Sequence, residues 1–286
     1  MEKALVVGAG LVGSLQAVLL AKKGHQVDVY DRRGDIRDVE FIGGRSINLA
    51  LSSRGWKALE LASVAEEIKA ISIPMTGRKM HAVNGDITYQ AYGKEGEAIY
   101  SVPRGELNRT LILKAAEYEN VNLHFDMKCT DIDVKKGSAS FENSNSGKAI
   151  TTEASQIYGT DGAFSAVRTR LQKTDRFNYS QEYLRHGYKE LIIPANEDGL
   201  HKMDKHALHI WPRGEFMLIA LANLDGSFTV TLFFPFEGET SFASLDTDAK
   251  ILAFFEETFA DAVPLMPTLL KDYHENPSAS LVIVRC

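Results

Sequence analysis

The sequence predicts an α/β fold: a Rossmann-like dinucleotide-binding domain with a parallel sheet and an added β-meander, interleaved with a mostly antiparallel second sheet. Three observations predict it. A β-prone run, Lys3–Val7, leads straight into Gly8-Ala9-Gly10-Leu11-Val12-Gly13. A hairpin over 78–92, alternating around Asn84-Gly85, interrupts the βα pattern, and Asn-Gly is the strongest short hairpin signal. A second glycine turn, Asp161-Gly162-Ala163-Phe164-Ser165-Ala166-Val167-Arg168, follows a strand and opens a helix.

The first element is strand, glycine turn, helix and strand. Leu15, Val18 and Leu19 recur at helical spacing up to Gly24, and Gln26–Tyr30 alternates like a strand ending at Asp31. Gly8 allows the tight turn, Gly10 lets backbone approach a pyrophosphate, and Gly13 lets the helix pack closely. The helix N-terminus offers free N–H groups to the phosphate. Asp31 accepts from ribose hydroxyls, and its charge disfavours a 2′-phosphate here. The motif alone does not separate FAD from NAD.

The middle of the chain departs from a run of further βα units. A helix starts near Ser53 with Trp56, Leu59 and Leu61, and residues 101–107 open another with Leu107, Leu111 and Ala115. Residues 121–125 read as a strand, and 135–150 as a meander turning at 143–147. Within the hairpin, a turn at residues 84–86 sets Arg78 opposite Tyr92, which is compatible equally with two groups reaching one ligand and with a surface Arg beside a packed Tyr. An Arg offers a planar fork to a carboxylate and a Tyr a second donor.

Composition narrows the class. The 286 residues are 44% hydrophobic and 24% charged, ordinary for a globular protein with a real core. A net charge of -6 argues against a nucleic-acid footprint. Two cysteines, Cys129 and Cys286, form no spaced framework, which points to a reducing, cytoplasmic setting. No apolar run approaches the roughly 18 residues of a membrane helix. His201, His206 and His209 are spaced too loosely for a metal site and read as a solvated loop and strand end. Residues 280–286 read as a buried strand with nothing after it, which suggests a longer natural chain.

GAGLVG, the Arg104 helix start and DGAFSAVR, in that order, resemble the flavoprotein aromatic hydroxylases. Three further stretches, GRSINLALS (44–52), YLRHGYKEL (183–191) and the segment from His209 to Phe236, are similar to the kynurenine 3-monooxygenase family. The resemblance covers essentially the whole chain. It implies an FAD- and NADPH-dependent monooxygenase that uses O2 to hydroxylate L-kynurenine. It places Arg78 and Tyr92 on the substrate carboxylate, with Ile219, Leu221 and Phe233 as the apolar ring wall. It places Gly8, Gly10, Val12, Gly13, Tyr30, Asp31, Arg32, Arg33, Arg45, Ala50, Arg104, Cys129, Asp161, Gly162 and Ala166 on the cofactor. Asp31 departs from the family's more usual Glu, and Cys129 is expected to be inert, touching adenine by its backbone.

The resemblance also implies an interleaved division: 1–73 and 98–179 for FAD, 74–97 and 180–286 for substrate. The family's GDAAH-type segment and PFFGQGMN-type loop do not occur in this sequence. Two other readings stay open: another flavoprotein hydroxylase or halogenase, and a non-catalytic nucleotide-binding fragment.

Overall fold

The computed structural model describes residues 2–37 and 48–286. The elements run β1 (Lys3–Val7), α1 (Leu11–Lys22), β2 (Gln26–Tyr30), β3 (Asn48–Leu51), α2 (Ser53–Leu61), α3 (Ala65–Ala70) and β4 (Ile73–Met75). Then come β5 (Gly77–His81), β6 (Ile87–Ala91), β7 (Ile99–Pro103), α4 (Arg104–Ala116) and β8 (Val121–His124). The meander β9 (Met127–Asp133), β10 (Ser138–Asn143) and β11 (Ala149–Glu153) leads to β12 (Gln156–Gly159) and α5 (Ala166–Leu171). The last third holds β13 (Ser180–Ile193), β14 (Ala207–Arg213), β15 (Phe216–Ala222), β16 (Phe228–Pro235), α6 (Asp248–Thr258), a 3-10 turn (Val263–Leu265), α7 (Leu269–Glu275) and β17 (Ser278–Arg285).

A four-stranded parallel sheet, ordered β12-β1-β2-β8, forms the nucleotide side. Its central strand β1 is buried on both faces, as expected for a strand flanked by crossovers. Ala4 and Val6 pack with Ala17, Val18, Leu111 and Ile112 of α1 and α4, while Leu5 and Val7 face Ile132 and Phe141 of the meander. Leu5 and Val6 are fully buried, worth about 1.5–3 kcal/mol each. A small antiparallel sheet, β3-β7-β4, lies alongside, with β4 straddling position 74.

The seven-stranded sheet runs β17-β13-β16-β15-β14-β5-β6. It is antiparallel except where β5 joins β14 in parallel. One face carries Trp211, Leu218, Val230, Leu232 and Phe234 under α6 and α7, with Phe255, Phe259 and Tyr273 completing the core. On the opposite face one cross-strand row reads Thr88, Met80, Ile210, Ile219, Thr231 and Glu190.

Two expectations change here. Arg78 faces Gln90, not Tyr92. The hairpin closes with Ala82 N–H donating to Asp86 O, and Asn84 Oδ1 accepts from Asp86 N–H, so its centre is Asn84. The offset of two residues keeps Tyr92 on the face of Arg78, because side chains alternate with a period of two. The strand at 278–285 is an edge strand held only by β13 and is half-exposed, with Ile283 at 37%. No helix among the described residues is long and apolar enough to cross a membrane.

Candidate functional site

A cleft of about 420 Å³ opens at the C-terminal ends of β1, β2 and β12, where ligands bind in open α/β sheets. The β1–α1 turn contributes Gly8, Gly10 and Val12; the end of β2 contributes Tyr30, Asp31, Arg32 and Arg33. Arg104 enters from the first turn of α4, Cys129 from β9, and Asp161, Gly162 and Ala166 from the turn after β12. Met127, Lys128, Thr160 and Phe164 also line it; no motif marks Met127 or Lys128 on the meander strand, while Thr160 and Phe164 lie at and within the second glycine turn and were not singled out there.

The three glycines of the first turn have different reasons. Gly8 has φ +100, and a Cβ there would lie 2.7 Å from Thr160 O. At Gly13 a Cβ would lie 1.8 Å from the carbonyl of Gly8, so the helix start and the turn are in direct contact. At Gly10 a Cβ would meet nothing within 4 Å: the space is open, and it faces the cleft. Helix α1 begins at Leu11 with no side-chain cap and no acid in its first turn. Its first N–H groups are therefore available to an anion.

Asp31 is 6% exposed and four donors use its carboxylate. Oδ2 accepts from Ala9 N–H (2.7 Å) and Arg33 Nη2 (3.1 Å); Oδ1 accepts from Arg33 N–H (2.8 Å) and Arg33 Nε (3.0 Å). Burial alone would raise its pKa, but the Arg33 and Ala9 hydrogen bonds hold it below the ordinary value. A carboxylate has about four acceptor positions, so a ribose hydroxyl reaches Asp31 only when Arg33 swings out. Arg33 is 57% exposed and can do so.

Tyr30 is clamped between His124 and Phe141, with ring centroids 4.3 and 4.0 Å away and both pairs stacked at 14°. Cys129 is buried, and burial pushes its thiol up to about 12; it stays a thiol. The Asp161 carboxylate accepts from Ser165 Oγ (2.5 Å), Ala166 N–H (2.7 Å) and Val167 N–H (3.3 Å), which is the work of a helix cap. Arg168 pins the same turn by donating to Gly162 O (3.2 Å) and Ala163 O.

With Arg32, Arg33, Arg104 and Lys128 against Asp31 and Asp161, the cleft suits a pyrophosphate. Open space at Gly10, an uncapped helix N-terminus and this cationic rim fit the ADP half of FAD. Ala50 lies on β3 opposite Ser101 and does not line this cleft, and Arg45 lies outside the described residues.

The second group gathers on the face of the seven-stranded sheet opposite α6 and α7. Ile219 sits in the row through Met80 and Thr231. Leu221 and Arg78 lie two residues along their strands from that row, as does Phe233 on β16. Arg78 Nε donates to Gln90 Oε1 at 2.9 Å. The backbone ladder continues through Tyr92 N–H to Thr76 O (3.0 Å), one diagonal step away. Burial raises the Tyr92 phenol against the pull of the Arg78 charge. Leu221 is 4% exposed, Ile219 and Phe233 partly so.

The histidine reading needs correction. His209 is 2% exposed and bonded on both ring nitrogens, not solvated. No cluster of metal-ligating side chains occurs among the described residues.

The family model described as FAD binding domain matches residues 1–215. The kynurenine 3-monooxygenase of Flavobacterium psychrophilum is 50% identical over 285 residues, covering 100% of this chain and 63% of that protein. The enzyme of the same name from Dictyostelium discoideum is 50% identical over 281 residues, covering 98% and 60%. This chain thus spans about three fifths of the length of these relatives. Among solved structures, 2-methyl-3-hydroxypyridine-5-carboxylic acid oxygenase superposes with TM-score 0.77 at 17% identity, covering 100% of this chain and 71% of that one. Tetracycline destructase Tet(51) superposes with TM-score 0.62 at 16% identity, covering 100% and 71%. Those likenesses are of fold.

Proposed function

The chain belongs to the FAD binding domain family, and from that premise we propose that it is the flavin- and ring-binding portion of a monooxygenase that hydroxylates L-kynurenine to 3-hydroxykynurenine. The reaction consumes NADPH, a proton and O2 and yields NADP and water beside the product. Bound FAD would supply the electron transfer and oxygen activation.

The observation that carries the reading is one sheet face that holds Arg78 and Tyr92 beside Ile219, Leu221 and Phe233. Kynurenine is an amino acid on an aniline ring, and this face offers one partner to each end. The Arg78 fork takes the carboxylate, with the Tyr92 hydroxyl as second donor. The apolar side chains take the ring and keep water from it, which protects a reactive oxygen donor. Nucleotide binding falls to the β1–α1 turn and to Arg33 and Arg104, by the cleft described above.

Visible absorption of the purified chain with FAD, before and after L-kynurenine, tests this. A bound-flavin spectrum that shifts with kynurenine is expected. A bound flavin indifferent to kynurenine, yet shifted by a phenolic acid, would overturn the substrate and favour a different aromatic hydroxylase.

A further inference from the structure

The small sheet β3-β7-β4 meets the seven-stranded sheet through two side-chain amides and a hydroxyl. Asn48 Nδ2 donates to Asn223 Oδ1 at 2.6 Å and to Ser101 Oγ at 3.0 Å, and Ser101 Oγ donates to Ala222 O at 2.9 Å. Asn223 Nδ2 in turn donates to Ser227 Oγ (2.9 Å) and Thr229 Oγ1 (3.2 Å). All of these residues are buried. The backbone of Asn223 is fixed separately: its N–H donates to Ser227 O at 2.8 Å, and its carbonyl accepts from His201 Nε2 at 2.7 Å.

Stability alone does not account for these groups. Asn48 Oδ1 is buried with no donor among the described residues, which costs about 1–3 kcal/mol. Apolar side chains of similar size would avoid that cost, but apolar contact has no direction. Hydrogen bonds hold one strand against another at a set distance and angle.

The place of the network is specific. Asn48 pairs across the small sheet with Pro103, and the next residue, Arg104, lines the nucleotide cleft. Ala50 pairs with Ser101. Asn48 and Ala50 share one face of β3, since side chains alternate along a strand; that face is buried at Asn48 and exposed at Ala50. On the other side of the contact, Ala222 follows Leu221, and Leu221 pairs with Thr229. The network thus ties the strand beside the cleft to the end of the strand that carries Leu221.

We propose that Asn48, Ser101 and Asn223 are positioning residues for the hydroxylation: they fix β3 against the end of β15, and so set the gap between a flavin backed by β3 at Ala50 and a substrate ring on Leu221. This rests on the function proposed above. With the ADP half of FAD in the cleft and the ring on the sheet face, the flavin stands between them, and β3 with β7 bridges the two. None of the three residues touches the reacting atoms. Their effect is through distance, and a misplacement of about 1 Å costs about a hundredfold in rate.

The test is the change that L-kynurenine makes in the flavin absorption of the FAD-loaded 286-residue chain, titrated to saturation, with thermal melts alongside. Asn223→Ala and Ser101→Ala should keep the parent's affinities for FAD and kynurenine, while the spectral change at saturation loses most of its amplitude. Asn223→Asp should restore it, because a carboxylate of the same shape still accepts from Asn48 and takes hydrogens from the Ser227 and Thr229 hydroxyls. Arg78→Ala should do the reverse, with a weaker affinity but the full change at saturation. Variants that melt earlier yet show the parent's change at saturation would overturn the positioning role and leave the function standing. Ser101→Ala, the smaller change, decides the matter should Asn223→Ala fail to fold. A parent chain that holds no flavin, or whose flavin ignores kynurenine, would strike the function and this role with it.

Discussion

Arg78 donates through Nε to the side-chain oxygen of Gln90, directly opposite it in the β5–β6 hairpin, at 2.9 Å. Gln90 thereby orients the guanidinium, and among the described residues its two terminal nitrogens make no other hydrogen bond. They form the fork proposed for a carboxylate. Arg78→Ala should weaken kynurenine binding about tenfold to a hundredfold, the worth of a charge-assisted pair, with FAD affinity unchanged. Arg78→Lys should recover only part, since a point charge lacks the fork. Titration of the flavin spectrum with kynurenine reads all of this; an unchanged affinity in Arg78→Ala would remove the clamp.

The glycines of the first turn predict opposite behaviours from one added methyl. Gly13→Ala forces a Cβ into the Gly8 carbonyl at 1.8 Å, and should cost about 1–3 kcal/mol or more of stability. Gly10→Ala meets nothing within 4 Å, so its melting temperature should hold. Its methyl fills the space proposed for the pyrophosphate, and FAD affinity should fall about tenfold or more, a loss of about 1.4 kcal/mol or more. Thermal melts and FAD titration of the two variants separate the roles.

Asp31 and Arg33 form one ion pair with unequal partners. Asp31→Ala strips a buried N–H of Ala9 of its acceptor and should cost about 1–3 kcal/mol. Arg33→Ala removes an exposed partner and should cost less than about 1 kcal/mol. Chemical denaturation checks the asymmetry.

Acid should destabilise the fold through His209. Its folded pKa is about 4, below the unfolded value of about 6.5. Between those values the unfolded chain binds the proton and the folded chain does not. Stability is therefore full above about pH 6.5 and falls as pH drops towards 4, with a limiting slope of about 1.4 kcal/mol per pH unit. His209→Gln, which can still donate to Asp204 O and accept from His81, should flatten that slope in urea unfolding at stepped pH.

Much of the nucleotide half was legible in sequence because its signals are local. Gly8, Gly10 and Gly13 sit in six consecutive residues, and Asp31 ends the very next strand. The dual use of Asp31 was not legible, since Arg33 folding back on it depends on side-chain torsions. The register of Arg78 was read two residues out because the turn centre is fixed by the Asn84 side chain bonding Asp86, which a dipeptide signal does not specify. The burial of His209 was missed altogether. One ring nitrogen meets the Asp204 carbonyl five residues back, but the other meets His81, 128 residues away, and only the parallel pairing of β5 with β14 brings those two together.

That same pairing has a consequence for biosynthesis. Gly77 of β5 waits for Ala207 of β14, its neighbour in the sheet. At about 5–20 residues per second on a ribosome, the wait is on the order of ten seconds. Until then β5 and β6 are a lone hairpin, which is marginal in water, and the face that carries Arg78 does not exist. The nucleotide sheet waits similarly, since β1 needs β12. Both halves thus mature late and nearly together, and a nascent chain halted before residue 207 would present an unpaired strand edge for chaperones to cover.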